Sequence, residues 1–263
     1  MPMRRYLTLT VVLTVALTAQ AWAQPLPAGT IAAGTPWATP YYDIDTGLPG
    51  PTVVITGGVH GDEPAGAAAA LELLGWTFKR GRVVIIPQVN TLGLDAGKRL
   101  TPGAGLRDAE DLNRAFPREE GEVPAHPLAA SVWELLLEID PDWVVDLHEG
   151  ERFRINEPRE YTTLEKSVGN SVITPPNPRS ETLARELVNT ANGSLPPGAV
   201  GFVLLKACSE SRGQLYRAAH EPLGAHGLII ETVNNYQPLK RRVTQHLVMV
   251  EHLFTNLDML AAE

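Results

Sequence analysis

The stretch that decides the fold is Thr52-Val-Val-Ile-Thr-Gly-Gly-Val-His-Gly-Asp-Glu-Pro64. Its continuous apolar run at 53–55 is typical of a strand that is buried on both faces of a sheet. The three glycines that follow permit a sharp turn, and Pro64 is well placed as the first residue of a helix. The stretch therefore predicts a strand, a turn and a helix start, with His60 and Glu63 where the chain leaves the sheet.

Strand-like and helix-like segments alternate along the rest of the chain, which predicts an α/β domain whose sheet is covered by helices on both faces. Because the runs at 53–55, 83–86 and 228–230 are apolar without alternation, we expect them in central strands. The predicted strands are 52–56, 83–89, 143–147, 202–206 and 228–232, and the predicted helices are 64–76, 126–139, 180–191 and 240 to about 260.

The first 23 residues predict a secretory signal peptide. Arg4 and Arg5 precede the apolar run 7–17, and Ala21-Trp-Ala23 offers a small-residue cleavage site. The run is shorter than the roughly 20 apolar residues that a membrane span needs. We expect an exported protein, periplasmic or secreted, without a stable membrane anchor. Residues 24–50 are predicted to be an extended segment on the surface, and 51–263 the main domain.

Charge and cysteine usage exclude two classes of function. The formal net charge of −8 argues against a nucleic-acid partner, because a polyanion would be repelled. Cys208 is the only cysteine in the sequence, so a closed structural zinc site built from thiolates is also excluded.

Two imidazoles and a carboxylate have the spacing of a catalytic zinc site. His60 and Glu63 are separated by two residues, and His148 follows after a long interval, directly after the apolar run 143–147. Three protein ligands with one open position are typical of catalytic zinc, and the carboxyl ends of strands form the ligand crevice of open α/β sheets. A single histidine is more often structural, and Asp62 is read as an ordinary helix N-terminal acid. Asp146 shares a strand face with His148 and is a candidate for a supporting hydrogen bond.

Further polar residues suggest a substrate site. Asn113 and Arg114 pair a neutral donor with a planar cation, which suits a carboxylate, although the dipeptide alone is a weak signal. Arg99 or Arg107, in the same irregular stretch 93–122, would direct a cation at a substrate carbonyl oxygen. Glu231 ends an apolar strand, where burial of a carboxylate favours a general base. The irregular stretches 93–122 and 150–178 are interpreted as active-site loops rather than disorder.

Four ordered motifs resemble the zinc carboxypeptidase superfamily, and most closely its succinylglutamate desuccinylase/aspartoacylase-like branch. The resemblance covers about residues 51–235. It implies a single α/β/α sandwich domain with a central mixed, largely parallel sheet, and one zinc ion per chain. Arg99 fits the branch's carbonyl-polarising arginine better than Arg107, and Tyr216 and Tyr236 are the candidates for its substrate-capping tyrosine. The motifs are His60-x-x-Glu63, Asp111-Leu-Asn113-Arg114-x-Phe-Pro117, Asp146-Leu-His148 and Ile230-Glu231-Thr232; the resemblance implies His60, Glu63 and His148 as zinc ligands, Asn113 and Arg114 as the carboxylate grip, and Glu231 as the general base.

These observations lead to one expected function and two alternatives. We expect an exported zinc-dependent hydrolase that cleaves an amide bond next to the free carboxylate of a peptide, with cell-wall peptides included. The alternative within the same class is an N-acyl amino acid deacylase. The alternative from another class is a zinc- or peptide-binding protein that keeps the fold and has lost turnover.

Overall fold

The computed structural model describes residues 25–102, 111–153, 168–207 and 212–260. Within these ranges eight strands form one mixed sheet, and none of the helices is both long and apolar enough to cross a membrane. The strands are β1 (Gly29–Ile31), β2 (Thr39–Asp45), β3 (Thr52–Gly57), β4 (Arg82–Ile86), β5 (Trp143–Gly150), β6 (Ser171–Thr174), β7 (Val203–Lys206) and β8 (His226–Val233). The α-helices are α1 (Pro64–Leu73), α2 (Thr91–Ala96), α3 (Pro127–Ile139), α4 (Pro178–Gly193), α5 (Leu215–His220) and α6 (Leu239–Asn256), and Leu112–Arg114 form a 3₁₀ turn.

Parallel strands form the centre of the sheet. The strand order is β1-β2-β4-β3-β5-β8-β6-β7, and the four strands from β4 to β8 in this order are mutually parallel. Antiparallel pairs join β2 to β4 and β6 to β8, which makes the sheet mixed. The three apolar runs predicted to be central lie in β3, β4 and β8, so that prediction is confirmed.

The two faces of the sheet carry separate hydrophobic cores, because alternate side chains of a strand point to opposite faces. Val53 packs into one core with side chains of α1, α4 and α6. Val54 packs into the other core with side chains of α3 and α5. This arrangement confirms the predicted α/β/α sandwich.

The sheet begins earlier in the chain than the sequence predicts. The segment 24–50, expected on the surface, contains β1 and β2, and β2 pairs with β4. Ile31 and Thr39 are buried, so part of the segment belongs to the folded domain. Pro40 obscures the strand signal, since proline within a sheet is confined to edge strands and bulges.

Smaller differences concern short elements and element ends. The irregular stretches 93–122 and 150–178 include the end of α2 and all of β6, which are six and four residues long. Strand β5 runs on to Gly150, so His148 lies inside the strand rather than after it. Helix α1 ends at Leu73, and α6 ends at Asn256, before the predicted boundaries.

The start of helix α1 packs on the central strands with almost no side chain between them. A Cβ atom built on Gly66 would lie 2.2 Å from the carbonyl oxygen of Leu147 in β5. A Cβ atom built on Gly57, at the end of β3, would lie 2.5 Å from the carbonyl oxygen of Gly66. The start of α1 is therefore fixed against the carboxyl ends of β3 and β5 by direct backbone contact.

Candidate metal centre

Three neighbouring elements deliver the predicted metal ligands to one point. His60 lies in the turn after β3, Glu63 is the residue before α1, and His148 lies in β5. All three are buried, with 3%, 3% and 2% of their surface exposed. Their ligand-capable atoms all lie within 4.8 Å of one another, so the structure brings the three residues together as the sequence predicts.

The carboxylate of Glu63 lies between the two imidazoles. Its Oε1 is 2.8 Å from Nδ1 of His60, and its Oε2 is 2.7 Å from Nδ1 of His148. The two ring nitrogens that face the carboxylate are thus of the same kind, Nδ1. A single ion placed among these atoms would have two imidazole nitrogens and one carboxylate as ligands.

The outer nitrogen of each imidazole faces another carboxylate. Nε2 of His60 is 2.9 Å from Oδ1 of Asp111, and Nε2 of His148 is 2.7 Å from Oδ2 of Asp146. Oδ1 of Asp146 in turn accepts a hydrogen bond of 2.7 Å from the Thr56 hydroxyl. Carboxylates in this position are usual for zinc-ligating histidines, because they fix the tautomer and the ring orientation. The supporting role expected of Asp146 therefore has the required geometry.

The donor set fits zinc. Two imidazoles and one carboxylate are ligands of catalytic zinc sites, and imidazole suits zinc better than it suits magnesium or calcium. The residues that would hold the ion are His60, Glu63 and His148. Burial would raise the pKa of Glu63, but the two histidines hold it well below its usual value.

Glu231 lies beside this cluster. Its strand β8 pairs in parallel with β5, and Glu231 is the direct register partner of His148. The side chain is buried, and its Oε2 has no hydrogen-bond partner among the described residues. Burial, reinforced by the nearby Glu63 carboxylate, raises the pKa of Glu231 to about 8.

A cavity of about 570 Å³ connects the cluster to the predicted substrate-binding residues. Arg99 lines it and donates hydrogen bonds to Glu63 Oε1 at 2.9 Å and to Asp111 Oδ2 at 3.4 Å. Asn113 also lines it; its Oδ1 accepts from the Leu215 N–H at 2.8 Å, and its Nδ2 is 3.1 Å from His148 Nε2. Arg114 lies at the wall and donates to the carbonyl oxygen of Asn113 at 2.7 Å. The cavity thus combines the candidate metal ligands, the buried carboxyl group of Glu231 and the guanidinium groups of Arg99 and Arg114.

The structure does not bring every predicted residue to the cavity. Tyr216, predicted to bind substrate, is fully buried in a hydrophobic cluster and does not belong to the cavity lining. This prediction is corrected because α5 turns the ring inward, against Ile229 of β8 and Ile173 of β6. Tyr236 is 80% exposed and also lies outside the lining. Arg107 lies outside the described residues.

Two residues of the site were not assigned a role from the sequence. Asp111 was quoted in the Asn113-Arg114 motif, but its contact with His60 joins positions 51 residues apart. Glu149 follows His148 directly and donates its backbone N–H to Glu63 Oε2 at 2.9 Å. A charged residue next to a ligand in a buried strand was a signal that could have identified Glu149.

Comparisons with known proteins find a family match over part of this chain. Residues 49–162 match the family described as succinylglutamate desuccinylase/aspartoacylase catalytic domain. The chain is 38% identical over 106 residues to N-alpha-acetyl-L-2,4-diaminobutyric acid deacetylase of Halomonas elongata, a match that covers 39% of this chain and 30% of that protein. The resemblance predicted from the motifs is therefore confirmed over the matched residues.

Solved structures show the same fold. The mDAP-bound form of Helicobacter pylori Csd4, described as a D,L-carboxypeptidase, has a TM-score of 0.65 at 22% identity, and the match covers 80% of this chain and 52% of that one. An aspartoacylase family protein from Mesorhizobium loti has a TM-score of 0.61 at 22% identity and coverages of 86% and 63%. The product-bound ectoine utilization protein EutE (DoeB) of Ruegeria pomeroyi has a TM-score of 0.61 at 21% identity with the same coverages. The chain spans about a third of the curated relative and between half and two thirds of these structures.

Proposed function

We propose that this chain is a zinc-dependent hydrolase that cleaves an amide bond next to a free carboxylate. The observation that carries the proposal is the buried carboxyl group of Glu231, whose Oε2 has no hydrogen-bond partner among the described residues and which lies across from His148 in the same cavity as the metal ligands. A carboxylate is costly to bury without a partner. A role in proton transfer at the ligand cluster accounts for its position.

The metal and the side chains of the cavity would share the chemical roles of the reaction. Zinc, when bound by His60, Glu63 and His148, supplies Lewis acidity that polarises the scissile carbonyl and favours ionisation of water. Glu231 accepts a proton from the attacking water as the new C–O bond forms. It then returns the proton to the amide nitrogen, so that the C–N bond breaks and a neutral amine leaves.

The guanidinium groups of the cavity account for a preference for substrates with a negatively charged carboxylate. Arg99 lies against the cluster and would donate to the carbonyl oxygen as it gains negative charge. Arg114 would face the substrate carboxylate with its two-pronged fork, and Asn113 would add a neutral donor. Both predicted grip residues line the cavity, which supports this assignment.

Two substrate classes have support, and a peptide is the first. The predicted signal peptide at 1–23 favours it, because small-metabolite deacylation is usually an intracellular task, and Csd4, a fold relative, is described as a D,L-carboxypeptidase. The second class is an N-acylated amino acid. The specific observation that favours it is the 38% identity to a deacetylase over 106 residues.

The proposed chemistry is tested by zinc content and by Glu231→Gln. We expect about one zinc ion per chain, and in Glu231→Gln we expect retained zinc with turnover reduced by about 100-fold or more. Glu138→Gln makes the same chemical change on the exposed side of α3 and should hydrolyse at the parent rate. A folded parent protein that excludes zinc, or a Glu231→Gln variant that turns over normally, contradicts the mechanism.

The substrate class is tested with matched compounds. Parent protein receives peptides with free and amidated C-termini and small N-acyl amino acids, and the same set is given to Arg114→Lys. Amidation or the lysine substitution should each reduce hydrolysis strongly, because an ammonium group lacks the two-pronged contact. Arg185→Lys, on the exposed side of α4, serves as the control. Selective hydrolysis of the N-acyl amino acids would establish the deacylase instead.

A further inference from the structure

Helix α1 is capped at its N-terminus by a residue from another element. Glu63 occupies the N-cap position, but its side chain makes no capping hydrogen bond within the described part of the chain, since it faces His60 and His148. The first N–H groups of a helix need acceptors. The N–H of Ala65 finds one in Oε2 of Glu149, at 2.8 Å. Glu149 therefore replaces the cap that Glu63 does not provide.

Glu149 holds the Glu63 segment in two ways. Its backbone N–H donates to Glu63 Oε2 at 2.9 Å, while its side chain accepts from Ala65, two residues further along. Successive residues of a strand point to opposite faces, so His148 faces the other ligands while the Glu149 carboxylate faces α1 and α6. Strand β5, which carries the candidate ligand His148, thus also fixes the candidate ligand Glu63 from the opposite face of the sheet.

The carboxylate of Glu149 is itself held by α6. Its Oε1 contacts Nη1 of Arg242, and both residues are buried, with 4% and 8% of their surface exposed. Thr232, the register partner of Glu149 in β8, directs its hydroxyl at the same oxygen at 3.4 Å and lies 3.2 Å from Nε2 of His246. Thr232 also follows Glu231 directly. A buried polar layer therefore runs from α6 to the segments that carry Glu63 and Glu231.

We propose that Glu149 and Arg242 are positioning residues, which fix the Glu63 carboxylate for zinc from the opposite face of the sheet. The inference rests on the proposed function in one respect, namely that Glu63 is a zinc ligand. A buried ion pair is a poor source of stability, because apolar residues of similar volume often stabilise a protein more. Its contacts with the Glu63 segment give it a different role. Partners of metal ligands typically change metal affinity by 10–100-fold when they are removed.

The test measures zinc affinity in full-length variants by competition with a chromophoric chelator, and the folded fraction is monitored by circular dichroism. Glu149→Ala should raise the dissociation constant for zinc by about 10-fold or more, in the range usual for partners of metal ligands. Glu149→Gln, which retains an acceptor for Ala65, keeps the test valid if the alanine variant does not fold. This variant should raise the dissociation constant for zinc by about 10-fold. Val145→Ala, on the same strand and in the core on the same face, controls for general destabilisation and should bind zinc as the parent does.

The role of Arg242 is tested by combining substitutions. Arg242→Met should weaken zinc binding, and Arg242→Lys should weaken it less. The double variant with Arg242→Met and Glu149→Gln should bind zinc no more weakly than the poorer single variant, because both residues act through one carboxylate. Parent-like zinc affinity in folded Glu149→Gln, or additive losses in the double variant, would overturn the inference and leave the proposed function intact. A parent protein that does not bind zinc would overturn the proposed function and with it the inference.

Discussion

Asp146→Asn is expected to weaken zinc binding through His148. Asp146 is fully buried, and its two oxygens serve two donors, Nε2 of His148 at 2.7 Å and the Thr56 hydroxyl at 2.7 Å. Asparagine keeps the volume but has one oxygen, so it can accept from only one of them. If its amino group faces His148, the ring must place its proton on Nδ1, the nitrogen that faces Glu63.

The size of the effect follows from the loss of this supporting contact. Removal of a carboxylate that orients a ligating histidine typically costs 10–100-fold in metal affinity, which is about 1.4–2.7 kcal/mol of binding free energy. The assay is chelator competition at fixed pH, with urea unfolding to verify that the variant is folded. Thr56→Val removes only the hydroxyl partner of Asp146, and we expect a change in zinc affinity below about 10-fold. A folded Asp146→Asn protein with an affinity within about twofold of the parent would refute the reasoning.

Two further predictions concern stability. Gly66→Ala should lower the free energy of unfolding by about 1–3 kcal/mol, although alanine is the better helix former, because the new Cβ would lie 2.2 Å from the Leu147 carbonyl oxygen. The control is Gly75→Ala, whose Cβ would lie 3.5 Å from its nearest neighbour. Equal urea denaturation curves for the two variants would contradict the prediction. Burial lowers the pKa of His246 to about 3 from its ordinary 6.5, so the stability that its neutral form contributes is complete above pH 6.5 and is lost as the pH falls from 6.5 toward 3. Between pH 7.5 and 5.5 the unfolding free energy of the parent should fall by about 1.4 kcal/mol more than that of His246→Gln. If urea titrations show equal losses of unfolding free energy in the two proteins, His246 does not titrate in this way.

The central part of the fold could be predicted because its signals are local. The strands β3, β4 and β8 contain continuous apolar runs, and Pro64 marks the start of α1. The strands that were missed are β1, β2 and β6, and of these β1 lies at the edge of the sheet. Their side chains are partly exposed or their runs are only three to seven residues long, so neither length nor periodicity separates them from loops.

The candidate metal ligands and the supporting position of Asp146 could be predicted for a similar reason, while the contacts of Glu149 could not. His60, Glu63 and His148 stand at or near strand ends in a spacing that few structural roles require. The contact of Glu149 with Ala65, by contrast, joins positions 84 residues apart. The inward direction of Tyr216 depends on how α5 packs against β8. Contacts of this kind follow from the tertiary arrangement rather than from any sequence pattern.

The backbone contact between α1 and the central strands insulates the cluster from variation elsewhere in the domain. A helix that rests on large side chains shifts when those side chains are exchanged, because it must settle at a new distance from the sheet. Here Gly57 and Gly66 leave no exchangeable layer between the start of α1 and the strands β3 and β5. Substitutions among the apolar residues that join the later turns of α1 to α4 and α6 should therefore leave the spacing between Glu63 and His148 unchanged.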